Sequence, residues 1–443
     1  MCQFGHPEKR QNPRNLGAKM PYFQAFTPIS WAAHNLFTRR PLPRYAGAFR
    51  FRPGADPLKP ANAIFSSLGT TIFETMSRLA QAHGAVNLGQ GFPEGLEPAD
   101  VVARAAEALV AGPNQYPSMM GTPDLRQAIA RHERRFYGTE LDPMAEVMVT
   151  SGATEALADC LFGLIEPGDE VVLIEPLYDS YLPIIRRAGG IPKLVRVEPP
   201  HWDLPRETLA AAFSPRTKLM ILNTPMNPSG KVWSRDEMAF VAGLLERFDA
   251  YCVCDEVYEH LVYDGRRHLP LMTLPGMRER CLKIGSAGKI FSLTGWKVGW
   301  VVAAPDLLAP LAKVHQYLTF ATPPNLQSAV AWGLDKEDSY YDGLAAMLAE
   351  RRDRLAEGLR GVGFEVMAAG GSYFLTADFR PLGFAGDDDD FCRHITEKAG
   401  VAAIPISTFY QGGDVDHFAR FCFAKTESAI DEAVMRLRRY FKG

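Results

Sequence analysis

Residues 218–256 read KLMILNTPMNPSGKVWSRDEMAFVAGLLERFDAYCVCDE. Two short apolar runs, KLMILNT (218–224) and AYCVCDE (250–256), flank a segment whose apolar positions recur at helical spacing. Each run has the length of a strand covered on both faces. Ser234 and Glu237 form an S-x-x-E capping box that opens a helix through Phe248. Strand, helix and strand in this order make a βαβ unit, which argues for a parallel sheet. Cys252 and Cys254 alternate with apolar neighbours in the second run, so they read as buried strand residues rather than metal ligands.

The pattern continues on both sides. EVMVT (146–150) is a strand that leads through the small-residue turn SGATEA into an apolar helix ending at Leu164. EVVLIE (170–175), CLKIG (281–285) and VGWVVAA (298–304) add further strands. After Lys336 the character changes: Leu344, Leu348, Leu355 and Leu359 follow helical spacing, and FEVM, SYFLTADF and ARFCFA are shorter strands before a closing helix with Ile430, Val434 and Leu437. That half reads as a smaller α+β domain, in which the GDDDD run ending at Asp390 is expected to be a solvated loop.

Bulk properties narrow the function classes. A chain of 443 residues with 47% hydrophobic and 22% charged side chains is ordinary for a globular protein with a sizeable core. The formal net charge of -3 supplies no global field for nucleic acid or an acidic membrane, so neither is expected as a partner. Seven scattered cysteines fit the reduced thiols of a cytoplasmic protein better than a disulfide framework. No apolar run approaches the roughly 20 residues of a spanning helix. Residues 1–61 stand apart, with ten Lys/Arg against two acids, Glu8 and Asp56, and no clear periodicity. They read as a disordered basic extension, with an organelle-targeting role as the alternative.

Ligands of open parallel sheets bind outside the carboxyl ends of the strands. Four strands here empty into polar or small residues at that end: SGAT, NTPMNPSG, DEVY and GSAGK. SGATEA brings the amides of Gly152, Ala153 and Thr154 to a helix N-terminus, a natural phosphate cradle, to which Ser286 adds a hydroxyl and Lys297 a charge. Asp255 ends an apolar strand, where its carboxylate needs a cationic or donor partner such as a protonated pyridine nitrogen. Lys289 lies in a loop of small residues that leave its amine open to an aldehyde. Phosphate, pyridine and aldehyde together point to pyridoxal 5'-phosphate. No metal is expected. Gly89-Gln90-Gly91 is followed by Phe92-Pro93 rather than a helix with a third glycine, so a dinucleotide fingerprint fails on context.

The motifs VNLGQGFP, NQYPSMMGTPDLR, SGATEAL, EPLYDSY, NTPMNPSGKV, DEVYEH, SAGKIFSLTGWKVGW and ARFCFAK occur in this order from about Ile64 to the C-terminus. In these the chain resembles the fold type I, class I/II aminotransferases, in particular the branch of kynurenine, glutamine-type and methionine aminotransferases. The resemblance implies an α/β fold with a mainly parallel seven-stranded sheet in a large domain (109–336), a smaller α+β domain (337–443), and an N-terminal arm that is part of the small domain (62–108).

The roles implied by that resemblance are specific. Lys289 would bond the cofactor aldehyde and then carry the proton between Cα and C4'. Asp255 would pair with the pyridine nitrogen, Tyr258 and Asn227 with the phenolic oxygen, and Tyr178 would stack on the ring. The amides of Ala153 and Thr154, beside Gly152, would bind the phosphate with Ser286, Lys297 and a Tyr116 reaching across from a neighbouring subunit, which implies a homodimer with shared active sites. Arg420 would hold the substrate α-carboxylate with Asn227 and the Gly91 backbone, and Phe73, Tyr178 and Phe320 would line an apolar pocket. Two departures bear on substrate: NPSG carries Ser229 where the family commonly has threonine, and Phe320 is followed by Ala321 rather than the histidine of the mammalian kynurenine enzymes.

With no second arginine at a recognised position, the expected reaction is ping-pong transfer of the amino group of a neutral, aromatic or sulfur-containing L-amino acid to a 2-oxo acid. A cysteine-conjugate or cystathionine β-lyase is the alternative, since it uses the same lysine. A regulatory effector-binding module is a remote third reading, because the leader lacks paired helices for DNA binding.

Overall fold

The computed structural model describes residues 59–412 and 415–443. The basic extension therefore falls outside the described residues. Pro60–Gly443 form one compact unit. The strands, in chain order, are β1 (Val86–Asn87), β2 (Val147–Thr150), β3 (Glu170–Glu175), β4 (Ile191–Arg196), β5 (Thr217–Asn223), β6 (Tyr251–Asp255), β7 (Cys281–Ser286), β8 (Gly299–Val302), β9 (Glu365–Val366), β10 (Phe374–Asp378), β11 (Val401–Ala402), β12 (Ile404–Pro405) and β13 (Phe418–Cys422).

Seven of them make the main sheet in the order β2-β8-β7-β6-β5-β3-β4. β3 to β7 run parallel to one another, and β8 runs against both its neighbours. The βαβ unit forms as expected: the Ser234 hydroxyl accepts from the Glu237 amide, the Glu237 carboxylate accepts from the Ser234 amide, and the helix Arg235–Phe248 returns the chain to β6. β3, β7 and β8 are buried throughout, as continuous apolar runs covered on both faces should be.

Three features differ from the sequence reading. β4 went unrecognised because it is an edge strand, where Pro192 and Lys193 interrupt the apolar run and burial is partial. The GDDDD run is not a loop: the Asp387 side chain caps a helix over Asp388–His394, and Asp388 is buried, accepting from both the amide and the hydroxyl of Ser407. Lys289 stands in a short helical turn, Ala287–Ile290, rather than a bare loop.

The smaller layer is a four-stranded antiparallel sheet, β12-β13-β10-β9. The N-terminal β1 pairs with β11 and so ties the first described segment to the C-terminal half.

β7 carries an ion within the core. The Lys283 side chain is fully buried and its ammonium donates to Glu133 and, at 2.7 Å, to Glu259. It also lies 4.2 Å from the centre of the Tyr137 ring. Burial alone would strip this ammonium of its proton; the two carboxylates reverse the effect and hold its pKa above the usual lysine range. Lys283→Met would leave these acids without their cation, and is expected to lower unfolding free energy by about 3–5 kcal/mol. Denaturant titration checks this; a loss below about 1 kcal/mol, no more than an exposed pair gives, contradicts it.

Candidate active site

The C-terminal ends of β2, β5, β6 and β7 open into one cleft of about 320 Å³. Of the residues expected at a site, Phe73, Gly91, Gly152, Ala153, Thr154, Tyr178, Asn227, Asp255, Tyr258, Ser286, Lys289, Lys297 and Arg420 all line it. Tyr116 and Phe320 do not. They pack edge to face, ring centres 5.4 Å apart, away from their own chain's cleft, with Tyr116 85% and Phe320 39% exposed. The expectation that Phe320 lines this pocket is corrected for the cleft of its own chain.

One end of the cleft is a cradle. β2 leads into Gly152 at φ +76°, which starts the helix Gly152–Leu164. A Cβ on Gly152 would sit 3.1 Å from Lys297 Nζ, and a Cβ on Gly299 would press to 2.7 Å of the Gly152 carbonyl carbon. Only glycines allow the antiparallel return of β8 to bring Lys297 over these amides. Ser286 ends β7 beside them, in the same cleft. Free amides at a helix start, a hydroxyl and an ammonium make a donor set suited to a phosphate.

The floor is Asp255, buried at the end of β6. Its Oδ2 accepts from the Tyr181 hydroxyl at 2.5 Å, and its main-chain carbonyl accepts from Asn223 Nδ2 at 2.9 Å. Its Oδ1 is buried with no partner. Burial pushes the carboxyl above its ordinary pKa, and the Tyr181 hydrogen bond offsets only part of that. A buried carboxylate oxygen without a donor is costly, and a cationic N–H is what would satisfy it. A protonated pyridine nitrogen fits this position, with the cradle to receive a phosphate on the same ring.

Lys289 is half-buried, and its ammonium donates to the Tyr373 hydroxyl at 2.7 Å, which in turn donates to the Gly91 carbonyl at 2.8 Å. Burial lowers its pKa to about 8, and the charges of Arg420 and Lys297 add to the fall against Asp255. Such an amine is far easier to deprotonate than a surface lysine. Tyr258 is buried edge-on to Tyr373, ring centres 5.2 Å apart.

Opposite stands Arg420 on β13, 1% exposed. It donates through Nη1 to Asn227 Oδ1 at 2.9 Å and through Nη2 to the Gly89 carbonyl at 2.8 Å, while Nε is buried without a partner. Its guanidinium lies 4.0 Å from the Phe374 ring centre and 5.2 Å from that of Phe73. Burial pulls its pKa down to about 10, so it stays charged at neutral pH with an unmet need for an anion.

Tyr373, Tyr181 and Asn223 were not singled out from sequence. Each reads there as a core aromatic or a strand-end residue; Asn223, four before Asn227 and accepting its amide at 2.8 Å, and Tyr181, which ends EPLYDSY, lie within motifs that could have raised them.

Residues 84–437 match the family described as aminotransferase class I and II. The chain is 41% identical over 384 residues to methionine aminotransferase of Escherichia coli (strain K12), spanning 87% of this chain and 99% of that protein. It is 38% identical over 397 residues to kynurenine–oxoglutarate transaminase 1 of Homo sapiens, spanning 82% and 94%. The solved structure of N-succinyldiaminopimelate aminotransferase from Mycobacterium tuberculosis is similar at a TM-score of 0.84 and 45% identity, covering 86% of this chain and 100% of that one. With the cleft, the cradle and these likenesses in agreement, the chain belongs to the fold type I, pyridoxal-phosphate-dependent aminotransferases of class I and II.

Proposed function

We propose that this aminotransferase takes its amino group from a neutral L-amino acid with an aromatic or sulfur-containing side chain and passes it to a 2-oxo acid. The observation that carries the reading is the charge of the cleft. Arg420 is the one arginine among its lining residues, and Lys289 and Lys297 are engaged at the floor and the cradle. The remaining wall is Phe73, Tyr178 and Phe374, with the Asp179 carboxyl beside them. Arg420 pairs with a single α-carboxylate; a second carboxylate on the substrate would meet rings and Asp179.

Pyridoxal 5'-phosphate supplies, when bound, an aldehyde that takes up the amino group and a ring that draws off the electron pair left at Cα. Asp255 would pair with the ring nitrogen through Oδ1 and favour its protonated form. The Gly152, Ala153 and Thr154 amides, Ser286 and Lys297 would hold the phosphate, Tyr258 and Asn227 the phenolic oxygen, and Tyr178 a ring face. Lys289 would serve as the general base and acid that moves the substrate proton, its amine oriented by Tyr373. A second copy of the chain completes the site: Tyr116 and Phe320, an exposed aromatic pair, serve the partner's cleft. The likeness to the Mycobacterium tuberculosis N-succinyldiaminopimelate aminotransferase favours one other reading, a longer acylated diamino acid as donor.

A donor panel run against several 2-oxo acids separates these readings. Methionine and aromatic amino acids are expected to give new amino acid in equal amount to their own oxo acid, well ahead of glutamate and aspartate. A preference for N-succinyl-diaminopimelate, or pyruvate and ammonia as main products from cysteine conjugates, would overturn the assignment. Arg420→Lys loses the paired geometry and should lower kcat/KM about 100-fold for every donor; a drop confined to one donor would place Arg420 at a side chain instead.

The lowered pKa of Lys289 sets a pH window. The amine is ammonium below about pH 8 and free base above it. Reaction of the apoenzyme with pyridoxal, followed by visible absorbance, should quicken as pH rises and level off just above about 8. A rate that keeps climbing toward the ordinary lysine pKa of about 10.4 would refute the shift. Sedimentation velocity should show a dimer; a fully active monomer would remove Tyr116 from the site.

A further inference from the structure

A buried cluster under the phosphate cradle takes no part in the chemistry above. The helix Gly152–Leu164 contributes Glu155 and Asp159; the helix Pro305–Leu318 contributes His315 and is followed by Thr319. The side chains of His315 and Asp159 have no exposure, and that of Glu155 has 7%.

Donor counting assigns the protons. His315 Nε2 lies 2.8 Å from the carbonyl oxygen of Met119, which can only accept, so Nε2 carries hydrogen. Nδ1 lies 2.9 Å from Glu155 Oε1. That oxygen also receives the Thr319 hydroxyl, and Oε2 receives the Ser151 amide. Burial pushes the Glu155 carboxyl up, but the hydrogen bonds from His315, Thr319 and Ser151 outweigh it and hold the group below its ordinary range. Nδ1 faces this carboxylate with one proton between them, so the ring ties Glu155 to the Met119 carbonyl.

Asp159 does not compete for His315 Nδ1. Its Oδ2 is 3.8 Å from Nδ1, neither oxygen has a partner, and burial with the nearby Glu155 charge pushes its carboxyl up to about 9, so at neutral pH it keeps its own proton. Glu155, Asp159 and His315 sit close enough to hold a metal ion, but His315 spends Nε2 on the Met119 carbonyl and Nδ1 on the hydrogen bond to Glu155.

We infer that His315 is a positioning residue for the phosphate end of the cofactor. Through Glu155 it fixes the Ser151 amide, the residue from which the cradle turns at Gly152. Through Met119 it fixes the segment that presents Tyr116, which is also pinned by the Met120 carbonyl accepting from Val149 at 3.0 Å and by Gln327 Oε1 accepting from the Thr122 amide at 2.7 Å. One buried ring thus braces both the cradle of its own chain and the segment that carries Tyr116. The inference rests on the reading of Gly152, Ala153, Thr154, Ser286 and Lys297 as phosphate ligands.

The test compares equilibrium binding of pyridoxal 5'-phosphate and of pyridoxal, which has the same ring and aldehyde without the phosphate, to the full-length apoprotein. Wild type should prefer the phosphorylated form, and Lys297→Ala should lose much of that preference. His315→Leu should weaken binding of the phosphorylated form about tenfold or more while leaving pyridoxal within about twofold. Glu155→Gln keeps the shape, removes the charge, and should act in the same direction; it decides the matter if His315→Leu does not fold. Equal weakening of both ligands would make His315 a general structural residue and overturn the inference. A preference lost in Lys297→Ala but kept in both His315→Leu and Glu155→Gln overturns it while leaving the cradle intact. A preference kept in Lys297→Ala overturns the cradle reading and the inference with it.

Discussion

The site is organised around an unmet hydrogen bond. Asp255 ends a central strand with Oδ2 held by Tyr181 and Oδ1 buried without a hydrogen-bond partner among the described residues. The chain does not relieve that cost by itself, so the energy is available to a ligand that brings a cationic donor. Arg420 repeats the device at the other end of the cleft: a buried guanidinium with Nε unpartnered, braced by Asn227 and the Gly89 carbonyl. Between these two deficits of opposite sign lies Lys289, whose pKa is low because its amine is buried, with the nearby cations adding to the fall. Binding and reactivity thus come from the same burial.

Such a floor needs a rigid frame. The parallel strands bring Asn223, Asp255 and Ser286 to one edge of the sheet, and the buried Lys283 ion cluster anchors β7 from within. The Lys283 ammonium meets two carboxylates in the core, whereas Asp255 and Arg420 each turn an unpartnered polar atom toward the cleft.

Much of this was legible from sequence because the relevant signals are local. The capping box at Ser234 and Glu237, the continuous apolar runs and the small or polar residues after each strand follow directly from near-neighbour chemistry, and the cleft lining from Gly152 to Lys297 came with them. What was illegible depends on long-range contacts. Tyr373 reads as an ordinary strand aromatic until β10 is set beside Lys289, and His315 as a helix residue until Glu155 and Met119 close on it. β4 was hidden because an edge strand lacks the apolar run of its neighbours, and the acidic run at 386–390 misled because charge density says nothing of whether Asp387 will cap a helix. Phe320 is of the same kind: nothing local in HQYLTFATPP tells that its ring packs on Tyr116 rather than in the cleft of its own chain.

The close passage of Gly299 over Gly152 has an evolutionary consequence. Because a side chain on Gly299 would press on the backbone at Gly152, and Gly152 itself sits at φ +76°, the anchoring end of the cleft tolerates little substitution. The wall with Phe73 and Asp179 lies under no such backbone constraint, so change in what the fold accepts is easier there.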